Sequence, residues 1–218
     1  MNQQNNISES APVPIIEIEP EFAGFTPQEF IIDPVGYFER EGKNIKKGER
    51  MLDEQGVVRE DPTAVKDFPV WKDAEGAEIQ TVGKRVNANK GAMAKSGNPF
   101  YEYEVMQKVG QMKLPVARLV AKAEQSGVYL IVMERIPGVR WSELDSLNLR
   151  GQGYSVEDIV NLRKQAEQVM NDMKIKFELA GFVRGWKLKD MVMQIDVANK
   201  KVAGMVPTDW ERTKFTSI

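Results

Sequence analysis

The sequence predicts an α+β chain in which a small antiparallel sheet comes first and helices follow. Three observations carry that expectation. Between positions 51 and 86, strand-forming residues alternate with turn residues. Residues 128–133 are an unbroken apolar run of strand length. Residues 155–181 hold an apolar repeat at helical spacing, opened by Ser155 and closed by Gly181.

Composition narrows the chemistry. The 218 residues are 42% hydrophobic and 28% charged, as in an ordinary soluble globular protein with one domain or two small lobes. A net charge of −2 offers no footprint for nucleic acid or an anionic membrane. No apolar run approaches the length of a membrane span, and no secretory signal pattern is seen, so a cytoplasmic location is expected. There is no cysteine, which excludes disulfides and thiolate chemistry. There is no histidine either, which excludes Ser-His and Cys-His nucleophilic pairs, histidine-ligated zinc and the usual general base near neutral pH. Carboxylate, lysine, arginine and hydroxyl groups remain. Phosphoryl transfer is one of the few large reaction classes that needs no more than these.

Residues 1–50 read as a flexible N-terminal tail and linker. Asn, Gln and Ser dominate its start, Pro-Val-Pro and Glu-Pro-Glu follow, and 1–24 show neither helical nor strand period. The Pro/Phe/Tyr-containing stretch 25–38 is a candidate to pack on the body, and the Lys/Glu-rich stretch 40–50 reads as a solvated helix or linker. Such a tail suits a protein partner. The folded body is expected to begin near Met51.

Strand 68–72, the turn-rich tetrad 73–76 and strand 79–86 make a hairpin, with strand-formers Ile79, Thr81, Val82 and Val86 in its second arm. Lys84 and Arg85 lie on that arm, and by themselves also read as exposed strand residues. A helix follows. Asn98 is placed to cap it, Pro99 suits its first position and Gly110 is placed to end it. Glu102 stands a turn ahead of the apolar stripe Val105, Met106 and Val109; Glu104 is the competing carboxylate, facing elsewhere. A Gln-Ser-Gly turn leads into strand 128–133, apolar throughout and so expected to be buried on both faces, which ends in Met-Glu and a Pro-Gly turn. Ser155 and Asp158 approximate a capping box for the long helix, whose apolar positions are Ile159, Leu162, Ala166, Val169, Met170, Met173, Phe177 and Ala180. The loop 182–190 then runs into the apolar stretch 191–193, and Val-Pro-Thr-Asp-Trp-Glu occupies 206–211.

In this order, from about Met51 to Lys214, these residues resemble the ATP-handling positions of the protein kinase-like superfamily, in its atypical, small-molecule or pseudokinase branch. The resemblance implies a truncated two-lobed fold: a small antiparallel-sheet N-lobe over 51–133, a hinge at 133–138 and a mostly helical C-lobe over 134–218. It implies that Lys84 and Glu102 pair to grip ATP phosphates. Met133 would then back the nucleotide pocket, and the backbone of Glu134 to Ile136 would meet the adenine edge. It further implies that Asp190 and Asp209 hold Mg²⁺, for which carboxylate oxygen is a suitable hard ligand.

Two departures bear on activity. The family's loop reads His-Arg-Asp (or His-Gly-Asp), four residues, then Asn. In register with 191–193, Val183, Arg184 and Gly185 take the first three places and Asp190 the last. Gly185 cannot accept a proton, and an alternative register that puts Trp186 there is no better. No glycine-rich loop precedes Lys84, since 53–73 contains only Gly56, and the chain stops nine residues after Asp209. The expectation is an ATP- and Mg²⁺-binding pseudokinase or atypical phosphotransferase without the usual catalytic aspartate. The alternative is a non-enzymatic interaction or assembly protein that keeps the scaffold without nucleotide.

Overall fold

In chain order the elements are β1 (Ile15–Ile18), α1 (Gln28–Ile32), α2 (Pro34–Glu41), β2 (Lys43–Asn44), β3 (Val65–Lys72), β4 (Glu78–Val86) and α3 (Tyr101–Gln111). There follow β5 (Leu119–Gln125), β6 (Val128–Glu134), β7 (Val139–Arg140), α4 (Leu147–Gly151), α5 (Val156–Leu179), β8 (Phe182–Val183), β9 (Met191–Asp196), β10 (Lys201–Pro207) and β11 (Lys214–Phe215). This computed structural model describes residues 13–44, 65–86, 97–141, 144 and 147–215. The fold is mixed, with antiparallel sheets and helices. Six strands pair in the order β1-β5-β6-β4-β3-β2, a second sheet runs β10-β9-β7, and β11 pairs β8. No helix among the described residues is long and apolar enough to cross a membrane.

Turn chemistry sets the large sheet. In the β3–β4 hairpin, Gly76 takes φ 79°. Asp73 staples the turn by accepting from the Ala77 N–H at 2.8 Å. The β5–β6 hairpin turns on Ser126 and Gly127, at φ 52° and 74°. Two consecutive positive φ values match the twist of paired strands. β6 is buried at Leu130, Ile131 and Val132, because it lies inside the sheet between β5 and β4. On β4, Gly83 is required by close approach: a Cβ there would stand 2.6 Å from the Phe68 ring.

The N-terminal expectation needs correction. Of the predicted tail and linker over 1–50, residues 13–44 are built into the body. β1 pairs with β5, with Ile15 opposite Glu124 and Ile18 opposite Ala121. Phe22, Phe30, Tyr37 and Phe38 are buried with Phe68 and Trp71 over one face of the sheet. Phe30 meets Trp71 edge-on at 5.2 Å between ring centroids. Burying each such ring stabilises by about 1.5–3 kcal/mol, enough to order a segment without a clear period. The packing expected for 25–38 is seen. Positions 45–64, with Met51 and Gly56, lie outside the described residues.

Two details of α3 also differ. The helix starts at Tyr101, and Asn98 stands two residues before its N-cap, Phe100, with Asn98 Oδ1 accepting from the Phe100 N–H at 2.9 Å. Gly110 lies inside the helix. The reversal falls on Lys113, at φ 56°, with Leu114 N–H donating to Val109 C=O at 3.1 Å and Lys113 N–H to Gly110 C=O at 2.9 Å. Those two bonds form a Schellman end with lysine where glycine is usual.

α5 follows its sequence closely. Ser155 Oγ accepts from the Asp158 N–H at 3.1 Å, and Asp158 accepts from the Ser155 N–H at 2.8 Å. Gly181, at φ 84°, closes it. Its buried face, Ile159, Leu162, Ala166, Met173 and Phe177, joins Met106 and Val109 of α3, Ile131 of β6, Met193 of β9 and Trp210 in one core.

Candidate functional site

Lys84 is held near the middle of the large sheet, opposite Val65 on β3 and Ile131 on β6. Glu102 sits in the first turn of α3 and is buried. Their side chains meet: Lys84 Nζ lies 2.6 Å from Glu102 Oε2. Glu104 faces away and accepts from Asn98 Nδ2. A second carboxylate, Glu211, reaches Lys84 Nζ at 3.0 Å. Burial alone would push the lysine's pKa down, but Glu102 and Glu211 together hold it above the ordinary lysine value.

The other Glu102 oxygen, Oε1, accepts from the Trp210 N–H at 3.2 Å. Strand, helix and the 208–211 segment therefore converge on one carboxylate. That segment is fixed from below as well. Trp210 is fully buried, with its ring 5.7 Å from that of Phe177. Thr208 donates to the Asp190 carbonyl through its N–H at 2.8 Å and through Oγ1 at 3.0 Å. Arg184 Nη2 donates to the carbonyls of Thr208 at 2.8 Å and Asp209 at 3.2 Å. Asp209 itself is at φ 57°, a left-handed conformation that Asp tolerates but that clusters at functional sites.

Asp190, in the short turn before β9, and Asp209 open onto one cleft of about 260 Å³. Its lining also holds the cations of Arg184, Lys187, Lys189 and Arg212. Burial lowers the Arg184 pKa, opposed by Asp209, Asp190 and Glu102. Among the described residues no three metal-binding side chains gather to hold an ion by themselves. Two carboxylates suffice for Mg²⁺ that arrives with phosphate oxygens. Four cations thus face two carboxylates in the same lining.

Gly185 is exposed at the lip of this cleft, with no atom within 4 Å of where a Cβ would stand. No neighbour fills the place. Trp186 packs on Phe177 at 5.3 Å and offers no base, and Val183 pairs with Lys214 in the short β8–β11 ladder.

The expected hinge residues lie beside the same core. Met133 and Ile136 are half-buried against it, and Glu134 ends β6 opposite Thr81. The Glu134 N–H donates to the Arg118 carbonyl and the Arg135 N–H to the Gln80 carbonyl, both at 2.8 Å. Those two donors are engaged within the sheet.

Glu211 and the basic wall were not singled out from sequence as site residues. Glu211 directly follows Asp209-Trp210, the signal that could have found it; of the wall residues Arg184 holds the arginine place of the loop motif, while Lys187, Lys189 and Arg212 have no motif of their own. No family model matches this chain, and no curated protein matches it.

Proposed function

We propose that this chain is a kinase-like, two-lobed protein that binds ATP with Mg²⁺ and lacks conventional phosphotransfer. One observation carries the reading: the Glu102 carboxylate binds the strand lysine through one oxygen and the backbone beside Asp209 through the other. Protein kinases require a strand lysine paired with a helix glutamate and an aspartate presented to Mg²⁺. Here a single buried carboxylate couples both requirements.

On this reading the six-stranded sheet with α3 is the small lobe, residues 133–138 are the hinge, and α5 with the short sheets is the second lobe. Lys84 binds nucleotide phosphate. Met133 and Ile136 back the base, and its edge is left to the Glu134 carbonyl and the Ile136 backbone, since the Glu134 N–H is engaged. Asp190 and Asp209 are the residues to hold Mg²⁺, which neutralises charge on the phosphate oxygens when bound. Gly185 supplies no base. Positioning by a general base contributes about 10²–10⁴-fold, so turnover is slow or absent.

A second reading, an assembly scaffold without nucleotide, is favoured by one contact: Glu211 already occupies Lys84. Thermal melting separates the two. ATP with Mg²⁺ at about a hundred times its Kd stabilises by about 2.7 kcal/mol, or roughly 5–10 °C for a chain of this size. Asp209→Asn is expected to abolish the Mg²⁺-dependent part. Absence of any shift at millimolar ATP·Mg²⁺ would favour the scaffold. Gly185→Asp, which the open space accommodates, is expected to create or greatly raise ATP turnover.

A further inference from the structure

Lys84 carries more counter-charge than one cation needs. Glu102 Oε2 lies 2.6 Å from its Nζ, and Glu211 Oε1 lies 3.0 Å from the same atom. The three side chains sum to one negative charge, which an anion approaching Lys84 meets first. The two carboxylates are not equivalent. Glu102 is held twice, by Lys84 and by the Trp210 N–H, and 6% of its side chain is exposed. Glu211, with 24% exposed, has Lys84 as its one partner among the described residues. The chain on either side of Glu211 is fixed. Trp210 is buried, the Thr213 carbonyl accepts from the Tyr101 hydroxyl at 2.7 Å, and Lys214 and Phe215 pair with β8. Glu211 can therefore leave Lys84 by rotating its side chain into solvent, while Asp209 and the Lys84–Glu102 pair stay where they are.

We propose that Glu211 is an internal competitor of nucleotide phosphate: its carboxylate occupies Lys84 in the free protein and is displaced when ATP binds. This role rests on the nucleotide reading and deepens it, adding an autoinhibitory contact to the same site. A carboxylate oxygen and a phosphate oxygen ask the same of an ammonium group, a charge-assisted bond at close range. With both carboxylates in place, Lys84 has no net positive charge to offer. With Glu211 swung out, the Lys84–Glu102 pair is neutral and the more exposed side of the ammonium is free for phosphate. The competent molecules are those in which Glu211 has left, and apparent affinity falls by their fraction. A partly exposed ion pair of this kind favours the closed form about fivefold.

Titration calorimetry of the full chain tests it, with ATP·Mg²⁺ and with adenosine, on wild type, Glu211→Gln and Glu211→Asp. Glu211→Gln is expected to tighten ATP·Mg²⁺ about fivefold. Glu211→Asp, one methylene short of Lys84, tightens it by less. Adenosine has no phosphate to meet Lys84 and is expected to bind all three alike. Glu167→Gln, the same change of charge on the exposed face of α5, leaves ATP·Mg²⁺ binding unchanged. Tighter binding after removal of a stabilising contact is the opposite of what loss of a merely structural residue gives. The proposal is overturned, and the nucleotide reading kept, if Glu211→Gln binds ATP·Mg²⁺ no more tightly than wild type. It is equally overturned if Glu167→Gln, or adenosine on Glu211→Gln, shows the same gain. Absence of ATP·Mg²⁺ binding by wild type and Glu211→Gln alike removes the nucleotide reading and this proposal with it.

Discussion

Replacing Lys84 by Met tests the buried charge cluster most sharply. Met keeps the length of the side chain and removes its charge. Glu102, with 6% of its side chain exposed, and Glu211, with 24%, are then left facing each other without a cation. Removing one partner of a buried pair typically destabilises by about 3–5 kcal/mol, a large share of a domain's total of about 5–15 kcal/mol. Glu102→Gln is milder. Lys84 keeps Glu211 at 3.0 Å, and the amide oxygen can still accept from the Trp210 N–H. The loss of one charge-assisted bond there is about 1.5–3 kcal/mol. Glu211→Gln, at the wetter position, costs about 1 kcal/mol or less. Urea unfolding at 15 °C should therefore rank the three as Lys84→Met, Glu102→Gln, Glu211→Gln. The double variant Lys84→Met/Glu102→Gln should be more stable than the sum of its singles by more than 1 kcal/mol. The pH dependence has a definite sign. Lys84's folded pKa is raised, so its contribution is complete below the ordinary lysine value of about 10.4 and is lost as pH rises beyond it. The gap between wild type and Lys84→Met should narrow above that pH. If Lys84→Met costs under 1 kcal/mol, or Glu102→Gln costs more than it does, the convergence on Glu102 is wrong.

Three further outcomes are expected. Gly83→Ala drives a methyl into the Phe68 ring and should cost about 1–3 kcal/mol in chemical denaturation; a neutral result would mean the aromatic layer over β3 and β4 is loosely packed. Tyr103→Phe removes the hydroxyl that donates to Glu19 at 2.5 Å, and should speed amide hydrogen exchange in β1 while α5 is unaffected; unchanged β1 exchange would show that this bond does not hold the N-terminal segment. The contact with Lys200 and the Ser155 N–H hold the Asp158 pKa down to about 2, so its stabilising effect is present above pH 4 and lost as pH falls from 4 to 2; Asp158→Asn should flatten that acid decline in a urea-midpoint series, and an identical decline would refute the assignment.

The residues explain why parts of this fold could be read in advance and others could not. Lys84 and Glu102 were legible because each sits on a strongly patterned element, and the turn at 125–127 and the cap at Ser155 rest on local chemistry that needs no tertiary partner. The N-terminal segment was missed for the opposite reason. Its strand is four residues long, and its value lies in Phe22, Phe30, Tyr37 and Phe38 meeting Phe68 and Trp71, contacts far apart in sequence. The end of α3 was misplaced because Gly110 has the usual residue type while Lys113 has the backbone conformation. Arg184 and Arg212 join one cleft only because the β8–β11 pairing and the Thr208 bonds to Asp190 fold the 208–213 segment back onto the loop after α5.

We propose that nucleotide binds beside Lys84 with Mg²⁺ carried in on its phosphates. Titration calorimetry of the full chain tests it most directly, with Mg²⁺ alone, ATP alone and the two together. The expected result is no saturable heat for Mg²⁺ alone, and one site for ATP that tightens when Mg²⁺ is present and loses that gain in Asp209→Asn. Saturable binding of Mg²⁺ without ATP, or no heat with ATP·Mg²⁺ up to several times 1 mM, where even a weak site near −4 kcal/mol would register, would contradict it.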